Sequence, residues 1–343
     1  MQLVGVSECP IDRKPGSIRY AGVRDAYFGT PGQWRYRQHN QTGHLWLDPR
    51  PGELNVGELY ADYYTHSAVE PAATPGLWQQ AISAALAARL GYPAPDHVSV
   101  LAHLLSRMPS VGDAAELEMM RIPASETGRI LDVGCGGGEF LRRMRKAGWD
   151  VVGVEPDLKA AARLAAQEGF PVYESLERLI QEPERKFDVI VLNHVIEHLP
   201  DPVGVFGQLR ELLASGGRVL LTTPNASSLG ARLFGEFWRG LEPPRHFNVF
   251  TPDSMRQALG YAGFGIKNIR TEVRLARGIW FFSYLARAGN REIEVSRLPA
   301  RRFLKLTGYV FQLLEAGILK LLPDLGEEIF CIATPRGEGE RTR

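Results

Sequence analysis

Cysteine is scarce in this sequence, and its scarcity limits where the protein can work. The 343 residues include three cysteines, Cys9, Cys135 and Cys331, which are widely separated and odd in number. Such a set argues against a disulfide framework and for a reducing compartment. We therefore expect a cytoplasmic protein.

Long apolar runs and a dominant charge are also missing. No stretch of about 18 uncharged apolar residues occurs, so we expect no transmembrane span. The first residues, MQLVGVSECPIDRKPG, lack the apolar core of a signal peptide. Since 40 Lys and Arg face 39 Asp and Glu, the net charge is +1. This balance gives no electrostatic reason to expect nucleic acid as a partner.

The chain is long enough to hold one large domain or two smaller ones. Its character changes along the sequence, and the changes predict six segments. These are a β-rich module (1–66), a helical segment (67–127), an alternating strand–helix core (128–275), a helical insertion (276–325), a last core strand (326–335) and a disordered tail (336–343).

Strands and helices alternate from residue 128 onward. Arg129–Val133 and Phe187–Leu192 are apolar strands, and Asp157 caps a predicted helix that ends at Gly169. Such alternation implies a mostly parallel sheet with helices on both faces. The predicted fold class is therefore α/β, with a doubly wound sheet, the small β-rich N-terminal module and helical additions.

Glycine is concentrated in one loop, DVGCGGG (132–138), which precedes a predicted helix near Glu139. Loops at the carboxyl ends of parallel strands bind ligands, and glycines let the backbone approach a ligand closely. A P-loop would need Lys followed by Ser or Thr, which is missing. The dinucleotide motif G-x-G-x-x-G, or its variant with a final Ala, also fails whether it starts at Gly134 or at Gly136, because its last position is then Glu139 or Leu141. Glu139 would also place a carboxylate where a pyrophosphate would lie. We therefore expect a cofactor without phosphate.

The pattern D-x-G-x-G-x-G, followed one strand later by Glu155, resembles the class I S-adenosylmethionine (AdoMet)-dependent methyltransferases. The resemblance covers residues 128–270 and the last strand, and it implies a Rossmann-like sheet of seven strands. In that family the glycine loop wraps the methionine part of AdoMet, and the acid that ends the second strand accepts both ribose hydroxyls. The implied cofactor-binding residues are Asp132, Gly134, Cys135, Gly136, Gly138, Glu155 and Asn193.

The stretch FDVIVLNHVIEHLPDP (187–202) resembles the branch of that family that contains ubiquinone-pathway O-methyltransferases. There the residues just past the fourth strand line the methionine end of the cofactor, a place that Asn193 and His194 take here. His194 is a candidate general base for a substrate hydroxyl. His198 follows four residues later and could share a helical face with His194. For His198, a structural role is the stronger interpretation. Val195 breaks the zinc motif H-E-x-x-H, so we predict no metal.

A second catalytic candidate, His246, lies in EPPRHFNVFTPDSM (242–255), which also resembles this branch. The alternative is structural, with the Arg245–His246 pair pinning the loop between the fifth strand and the next helix. The sequence leaves both interpretations open.

The N-terminal module resembles the zinc-ribbon-like heads of some bacterial methyltransferases of this branch, which carry two C-x-x-C pairs. Cys9 is kept, but Asp12, His39 and Thr42 stand at the other three positions. Thr is a poor zinc ligand. We therefore predict a degenerate ribbon without zinc, which covers the substrate pocket or serves as a docking surface.

The insertion at 276–325 contains a predicted helix from Phe303 to Leu322, whose apolar stripe is flanked by basic residues. The stripe consists of Phe303, Leu306, Val310, Leu313 and Leu314. It predicts packing on the core or on a second subunit, which would make a homodimer. The alternative is an interfacial surface for peripheral contact with a membrane or a lipid-linked substrate.

Together these features predict an AdoMet-dependent methyltransferase that works by in-line displacement and releases S-adenosylhomocysteine. The resemblance implies a hydroxyl acceptor on a small molecule, a sugar or a lipid-linked intermediate, hence an O-methyltransferase. Two alternatives stay open: a non-catalytic AdoMet-binding partner or regulator, and a protein or nucleic-acid methyltransferase. The balanced charge and the absence of an N-P-P-[YF] motif after the fourth strand argue against a nucleic-acid substrate.

Overall fold

The computed structural model describes residues 2–52, 76–94, 97–182, 185–289 and 302–337. In the first half of the chain the elements are β1 (Leu3–Val4), β2 (Ser17–Val23), β3 (Trp34–Gln38), β4 (Leu45–Leu47), β5 (Arg50–Pro51), α1 (Leu77–Leu90), α2 (Val100–Ser106), α3 (Pro109–Glu118), β6 (Arg129–Val133), α4 (Glu139–Lys146), β7 (Asp150–Val154), α5 (Leu158–Glu168), β8 (Val172–Tyr173) and α6 (Leu176–Ile180). In the second half they are β9 (Phe187–Asn193), α7 (Pro202–Leu212), β10 (Leu213–Pro224), α8 (Leu229–Phe234), β11 (Asn248–Val249), α9 (Pro252–Tyr261), β12 (Phe264–Glu272), α10 (Ala276–Arg287), α11 (Arg302–Ile318) and β13 (Glu328–Pro335).

One seven-stranded sheet has the order β12-β13-β10-β9-β6-β7-β8. β6 pairs in parallel with β7 and β9, β7 pairs in parallel with β8, and β12 is antiparallel to β13. Strands β6 and β9 are almost continuously buried, as expected for parallel strands that helices cover on both faces. The predicted fold class, a doubly wound Rossmann-like α/β sheet, is confirmed.

The chain divides into two compact units, residues 1–61, 193–210 and 221–343, and residues 62–192 and 211–220. In the second unit, α5 begins as its sequence predicts. The side chain of Asp157 accepts hydrogen bonds from the backbone N–H groups of Lys159 and Ala160. Gly169 then ends the helix in a left-handed conformation, which glycine adopts at little cost.

Strand β10 begins at Leu213, directly after α7, and runs through Gly216 and Gly217. Gly217 lies so close to the neighbouring strand that a Cβ would stand 2.8 Å from the carbonyl oxygen of Phe187. Gly217 therefore permits close packing of the two strands.

The N-terminal strands share a sheet with a much later part of the same unit. The order of this four-stranded sheet is β11-β4-β3-β2, and Asn248 in β11 pairs with Trp46 in β4. Tyr36 is fully buried in a cluster that includes Phe247 and Val249. The module predicted for residues 1–66 thus packs with residues 242–250 over its described part, and its residues 53–66 lie outside the described ranges.

Helix α11 presents its surfaces differently from the prediction. Its buried face holds Gly308, Phe311 and Glu315, and the ring of Phe311 lies 4.9 Å from that of Trp280 in α10. Of the predicted stripe, Leu306, Val310, Leu313 and Leu314 are exposed, so they do not pack on the core of this chain. Phe303 lies outside the described side chains, and packing of the stripe on a second subunit stays a prediction. None of the helices in the described part of the chain combines the length and the apolar character that a membrane span requires. The predicted disordered tail falls outside the described residues from 338 onward.

Candidate functional site

The glycine loop follows β6 and turns tightly into α4. The N–H groups of Gly134 and Cys135 donate to the carbonyl of Val154, at 2.7 and 3.1 Å. Gly138 caps α4 with a φ of 75°, and a Cβ there would lie 2.5 Å from Cδ2 of Leu164. Backbone conformation and close helix packing therefore both require glycine at 138.

Two carboxyl groups flank this loop within the same unit. Asp132, in β6, is buried, and Glu155 directly follows β7. The two oxygens of Glu155 accept hydrogen bonds from the N–H groups of Gly136 and Asp157, at 2.8 and 2.9 Å. Burial, and then the charge of Glu155, raises the pKa of Asp132 to about 8. Near neutral pH, Asp132 is therefore mostly protonated.

The side chain of Cys135 points into the sheet. Its Sγ lies 2.7 Å from the place where a Cβ of Gly153 would be, so it fills the space left by that glycine. Burial is the main reason why the pKa of this thiol is well above its usual range. Any part that Cys135 takes in cofactor binding would therefore fall to its backbone.

The other predicted residues belong to the first unit. Asn193 ends β9, and its side-chain oxygen accepts a 2.6 Å hydrogen bond from the hydroxyl of Thr222. His194 follows with a φ of 56°, a left-handed conformation that is uncommon for residues other than glycine. Its backbone N–H donates to the carbonyl of Thr222, which holds the turn against β10.

The ring of His194 lies between two buried carboxylates. Nδ1 is 3.1 Å from Oε1 of Glu197, and Nε2 is 2.7 Å from Oε1 of Glu328. Arg274 adds a second cation to Glu328, and the hydroxyl of Thr223 donates to Glu197. A chain of alternating charges thus joins the loop after β9 to the last strand.

This environment determines the charge of His194. Burial works to lower its pKa, but the hydrogen bonds to Glu197 and Glu328 outweigh burial and raise the pKa to about 9. Burial likewise opposes ionisation of Glu328, while Arg274 and His194 lower its pKa to about 2. His194 is therefore an imidazolium near neutral pH, with both ring N–H groups donated. The general-base role predicted for it does not fit this arrangement.

His246 has the opposite character. Its ring is buried, Nδ1 lies 2.8 Å from the carbonyl oxygen of Gly240, and burial lowers its pKa to about 4. A neutral ring that donates from Nδ1 keeps its lone pair on Nε2. Nε2 lies 3.8 Å from Oε2 of Glu242. His246 is thus the better proton acceptor of the two predicted histidines.

The structural role predicted for the Arg245–His246 pair, which was to hold the loop between the fifth strand and the next helix, belongs to Arg245. Arg245 is buried and forms a 2.8 Å ion pair with Asp25, and it also donates to the hydroxyl of Thr30. His198 does not share a helical face with His194. Its Nδ1 lies 3.1 Å from the carbonyl oxygen of Arg245, and its ring packs edge-on against His246.

Glu197, His198 and His246 form a compact set of metal-ligating groups, with one ligand atom from each within 4.8 Å of the others. Glu197, however, already accepts hydrogen bonds from His194 and Thr223. These bonds account for the geometry of Glu197 without a metal, and the absence of a metal stays a prediction.

The four ribbon positions do come together in the N-terminal module. Nε2 of His39 lies 3.2 Å from Oδ2 of Asp12, and Nδ1 lies 3.0 Å from the hydroxyl of Thr42. Cys9 is fully buried, and burial raises the pKa of its thiol to about 11. The side chains at the positions that hold the zinc ligands of a complete ribbon are thus joined by hydrogen bonds here.

Glu328 and Arg274 were missed by the sequence analysis. Glu328 is the second of two acids that directly precede the apolar stretch IFCIA, and this was the one available signal. Its partner His194 lies 134 residues earlier in the chain.

Residues 100–268 match a family described as methyltransferase domain. Residues 100–268 belong to this family. The family that the glycine loop predicted is thereby confirmed for this segment.

Two relatives are both named ubiquinone biosynthesis O-methyltransferase. The protein of Nitrosococcus oceani is 39% identical over 116 residues, which are 32% of this chain and 49% of the relative. That of Acinetobacter baylyi is 30% identical over 154 residues, 41% of this chain and 65% of the relative. The chain therefore spans about half to two thirds of the length of these two relatives.

A solved SAM-dependent methyltransferase from Archaeoglobus fulgidus is 24% identical to the chain. It covers 60% of this chain and 86% of its own, with a TM-score of 0.37.

Proposed function

We propose that this protein is an AdoMet-dependent methyltransferase that methylates a hydroxyl oxygen of a small-molecule acceptor. The observation that carries the proposal is Glu155, a buried acid after β7 that accepts a hydrogen bond from Gly136 of the glycine loop. The methyltransferase domain at residues 100–268 and the O-methyltransferase names of the relatives support it.

The residues around the loop fit AdoMet. Gly134, Gly136 and Gly138 all have left-handed φ values, so the loop is a cradle without side chains. Glu155 offers carboxylate oxygens that suit two hydroxyl donors. Its negative charge also favours a positively charged ligand. When bound, AdoMet supplies a methyl group on a sulfonium centre.

Methylation of a hydroxyl frees a proton, and a base must accept it. We assign this role to His246, because its neutral ring keeps a lone pair on Nε2. His194 would instead act as a cation that holds Glu197 and Glu328 and fixes the turn after Asn193. Only His246 would then take part in the proton transfer.

Calorimetry with AdoMet and S-adenosylhomocysteine tests the cofactor. Replacing Glu155 by Ala should weaken binding by about 100-fold, because two hydrogen bonds to a charged acceptor are lost. Glu139→Ala is the matched control, since Glu139 is exposed and pairs with Arg142 and Arg143 on α4. Absence of binding by the wild type, or an equal loss in both variants, would refute the proposal. Thermal unfolding checks that Glu155→Ala is folded.

Transfer of a labelled methyl group to hydroxyl-bearing small molecules tests the reaction. We expect His246→Ala to retain AdoMet binding and to lose turnover at least about 100-fold, as for loss of a general base. His194→Gln should lower turnover less. AdoMet binding without transfer to any acceptor would favour the alternative of a non-catalytic AdoMet-binding partner or regulator.

Further parts of this proposal come from the sequence. We propose a cytoplasmic location and the six predicted segments. As an alternative to other small molecules, the acceptor would be a sugar or a lipid-linked intermediate. The hydrogen-bonded set of Asp12, His39 and Thr42 supports a degenerate ribbon without zinc. Metal analysis of the purified protein after incubation with zinc would test that part.

A further inference from the structure

A short loop carries His246, the base assigned above, and one tyrosine contacts both ends of this loop. The hydroxyl of Tyr36, in β3, lies within hydrogen-bonding distance of the carbonyl oxygens of Leu241 and His246. Within the loop, the N–H groups of Arg245 and His246 donate to the carbonyl of Glu242, at 2.9 and 3.2 Å. The backbone that carries the ring of His246 is therefore held by hydrogen bonds on both sides.

Glu242 has a strained backbone in this loop. Its φ is 36°, in the left-handed region that residues other than glycine rarely adopt. Such conformations persist where the surrounding structure requires them, and they cluster at functional sites. The residue is also buried, with 2% of its surface exposed. Strain, burial and proximity to His246 thus coincide in one acidic residue.

The carboxylate of Glu242 lies between a guanidinium group and the ring of His246. Arg239 forms an ion pair with Oε2, and the same oxygen is 3.8 Å from Nε2 of His246. Burial opposes the ionisation of Glu242, but Arg239, and to a smaller extent His246, lower its pKa to about 2. The neighbouring charge of Arg245 is compensated by its ion pair with Asp25. Near neutral pH, a negative charge therefore faces His246.

Two further ionisable side chains face His246 from the turn after β9. The ring of His198 packs edge-on against that of His246, with the centroids 4.8 Å apart, and a carboxylate oxygen of Glu197 lies within 4.8 Å of a ring nitrogen of each. Burial lowers the pKa of His246, Glu242 opposes burial most strongly, and Glu197 does so less. His198 acts in the same direction as burial. Of these groups, Glu242 most favours a positive charge on His246.

Proton transfer to His246 creates a charge that this arrangement stabilises. When the acceptor oxygen gains the methyl group, its O–H bond breaks and an N–H bond forms at Nε2. The electron pair of the broken sulfur–carbon bond remains on sulfur, so the positive charge of the sulfonium appears on the ring instead. A carboxylate 3.8 Å away in a buried site lowers the energy of that imidazolium. The same distance is too long for a hydrogen bond at rest, which leaves the lone pair of Nε2 available.

We propose that Glu242 is a positioning residue whose carboxylate stabilises the imidazolium that forms when Nε2 of His246 accepts the proton of the acceptor hydroxyl. Arg239 keeps Glu242 ionised, and Tyr36 holds the loop that carries both residues. Glu242 itself neither gains nor loses a proton. This inference rests on the proposed function, because it takes His246 as the base of the reaction.

Nuclear magnetic resonance of the ring nitrogens tests the effect of Glu242 on His246 without cofactor or acceptor. With a pKa of about 4, about a tenth of the His246 rings are protonated at pH 5. Glu242→Gln removes the charge but keeps the shape, and it should lower this protonated fraction about tenfold. Glu242→Asp keeps the charge and tolerates a left-handed φ, so it should restore part of the fraction. His246→Asn assigns the resonance.

Turnover shows whether this charge matters for the reaction. It is measured with labelled AdoMet and the hydroxyl-bearing small molecule that accepts the methyl group in the assay described above. We expect Glu242→Gln to bind AdoMet like the wild type, to lower kcat at least about tenfold and to change the acceptor KM less than about threefold. Glu242→Asp should recover part of kcat. The matched control is Glu272→Gln, because Glu272 is also buried and pairs with Arg270 at 2.7 Å, and it should change neither kcat nor the His246 resonance.

Glu242→Gln leaves Arg239 without this partner, so thermal unfolding and a double variant that adds Arg239→Met check that a loss does not come from unfolding. An unchanged protonated fraction of His246, or an unchanged kcat, in folded Glu242→Gln would overturn the proposal. Equal effects of the Glu242 and Glu272 variants would overturn it as well. A wild type that binds AdoMet but methylates no acceptor would instead count against the proposed function, and the protonated fraction would still test the effect of Glu242 on His246.

Discussion

His194 combines an unfavourable backbone with favourable charge interactions. A left-handed φ costs a residue other than glycine about 1–2 kcal/mol. Ion pairs to Glu197 and Glu328, both fully buried, offset this cost. Removing one member of such a buried set is expensive because it leaves an uncompensated charge. The protonated state of His194 is thus part of how the turn after β9 is held.

The two candidate histidines should titrate far apart. We expect a pKa of about 9 for His194 and of about 4 for His246, for the reasons of charge and burial given above. Ring resonances followed by nuclear magnetic resonance, assigned with His194→Gln and His246→Asn, would measure both. Because the pKa of His194 is raised from 6.5, its contribution to stability is complete below pH 6.5 and is lost as the pH rises through about 9. The opposite order of the two pKa values would contradict this assignment.

Glu315 is a buried acid, and no side chain among the described residues forms a hydrogen bond to its carboxyl group. Burial, and then the charge of Glu327, raises its pKa to about 9, although a hydrogen bond from the backbone of Glu327 opposes the rise. A raised carboxyl pKa stabilises the fold below the ordinary value of 4.5, and that contribution is lost as the pH rises through about 9. We expect Glu315→Gln to increase the free energy of unfolding by about 1–3 kcal/mol at pH 8.

Chemical denaturation of the wild type and of Glu315→Gln, at pH 5 and at pH 8, would measure this difference. The gain should be much smaller at pH 5, because the carboxyl group of the unfolded chain, with its ordinary pKa of 4.5, is then partly protonated and folding takes up little further proton. An equal effect at the two pH values would exclude titration of Glu315 as its origin.

At the scale of elements, the loop before α4 depends on glycine in a way that a helix interior does not. Gly138→Ala should lower the free energy of unfolding by about 1–3 kcal/mol, because a left-handed φ and contact with Leu164 both oppose a Cβ. Gly207 in α7 is the matched control, since a Cβ there would meet no atom within 4 Å.

Gly207→Ala should raise stability by about 0.5–1 kcal/mol, because alanine loses less entropy than glycine in a helix. Denaturant titration of both variants would check this pair of predictions. Equal effects of the two substitutions would show that the conformation of residue 138 is not strained.

α11 shows what an amphipathic pattern can and cannot predict about an element. The predicted stripe is one face of a helix, as expected from its spacing. Which face is buried depends on the neighbours, however, and α10 packs against Gly308 and Phe311 instead. Gly308 permits the close approach that a larger residue would prevent.

At the scale of the molecule, the first 52 residues and the segment 242–250 stabilise each other within one unit. β11 pairs with β4, and the hydroxyl of Tyr36 lies 2.9 Å from the carbonyl oxygen of His246. The buried pair of Arg245 and Asp25 adds a third link. The position of His246, the proposed base, therefore depends on the N-terminal module.

Breaking the buried ion pair between Arg245 and Asp25 should lower the free energy of unfolding. We expect Arg245→Met to lower the free energy of unfolding by about 3–5 kcal/mol, because Asp25 would remain buried without its cation. The control is Asp253→Ala, which removes an ion pair to Arg256 whose side chains are 75% and 44% exposed. It should cost less than about 1 kcal/mol. Similar losses in both variants, measured by thermal unfolding, would show that Arg245 does not hold the module.

The sequence by itself determined the parts of this protein that depend on local patterns. Alternating strands and helices indicated the doubly wound sheet, because periodicity and capping act over a few residues. The spacing of Gly134, Gly136 and Gly138 with Glu155 indicated the methyltransferase domain, because that motif is contained in one strand–loop–helix–strand unit. These features needed no knowledge of distant contacts.

Only the tertiary structure decided the charge of His194, the neighbours of His246 and the exposed face of α11. Glu328 meets His194 across 134 residues of sequence, and Asp25 meets Arg245 across 220. A pKa depends on burial and on such partners, neither of which a local pattern contains. The side of an amphipathic helix that meets solvent is likewise a property of the surface on which it packs.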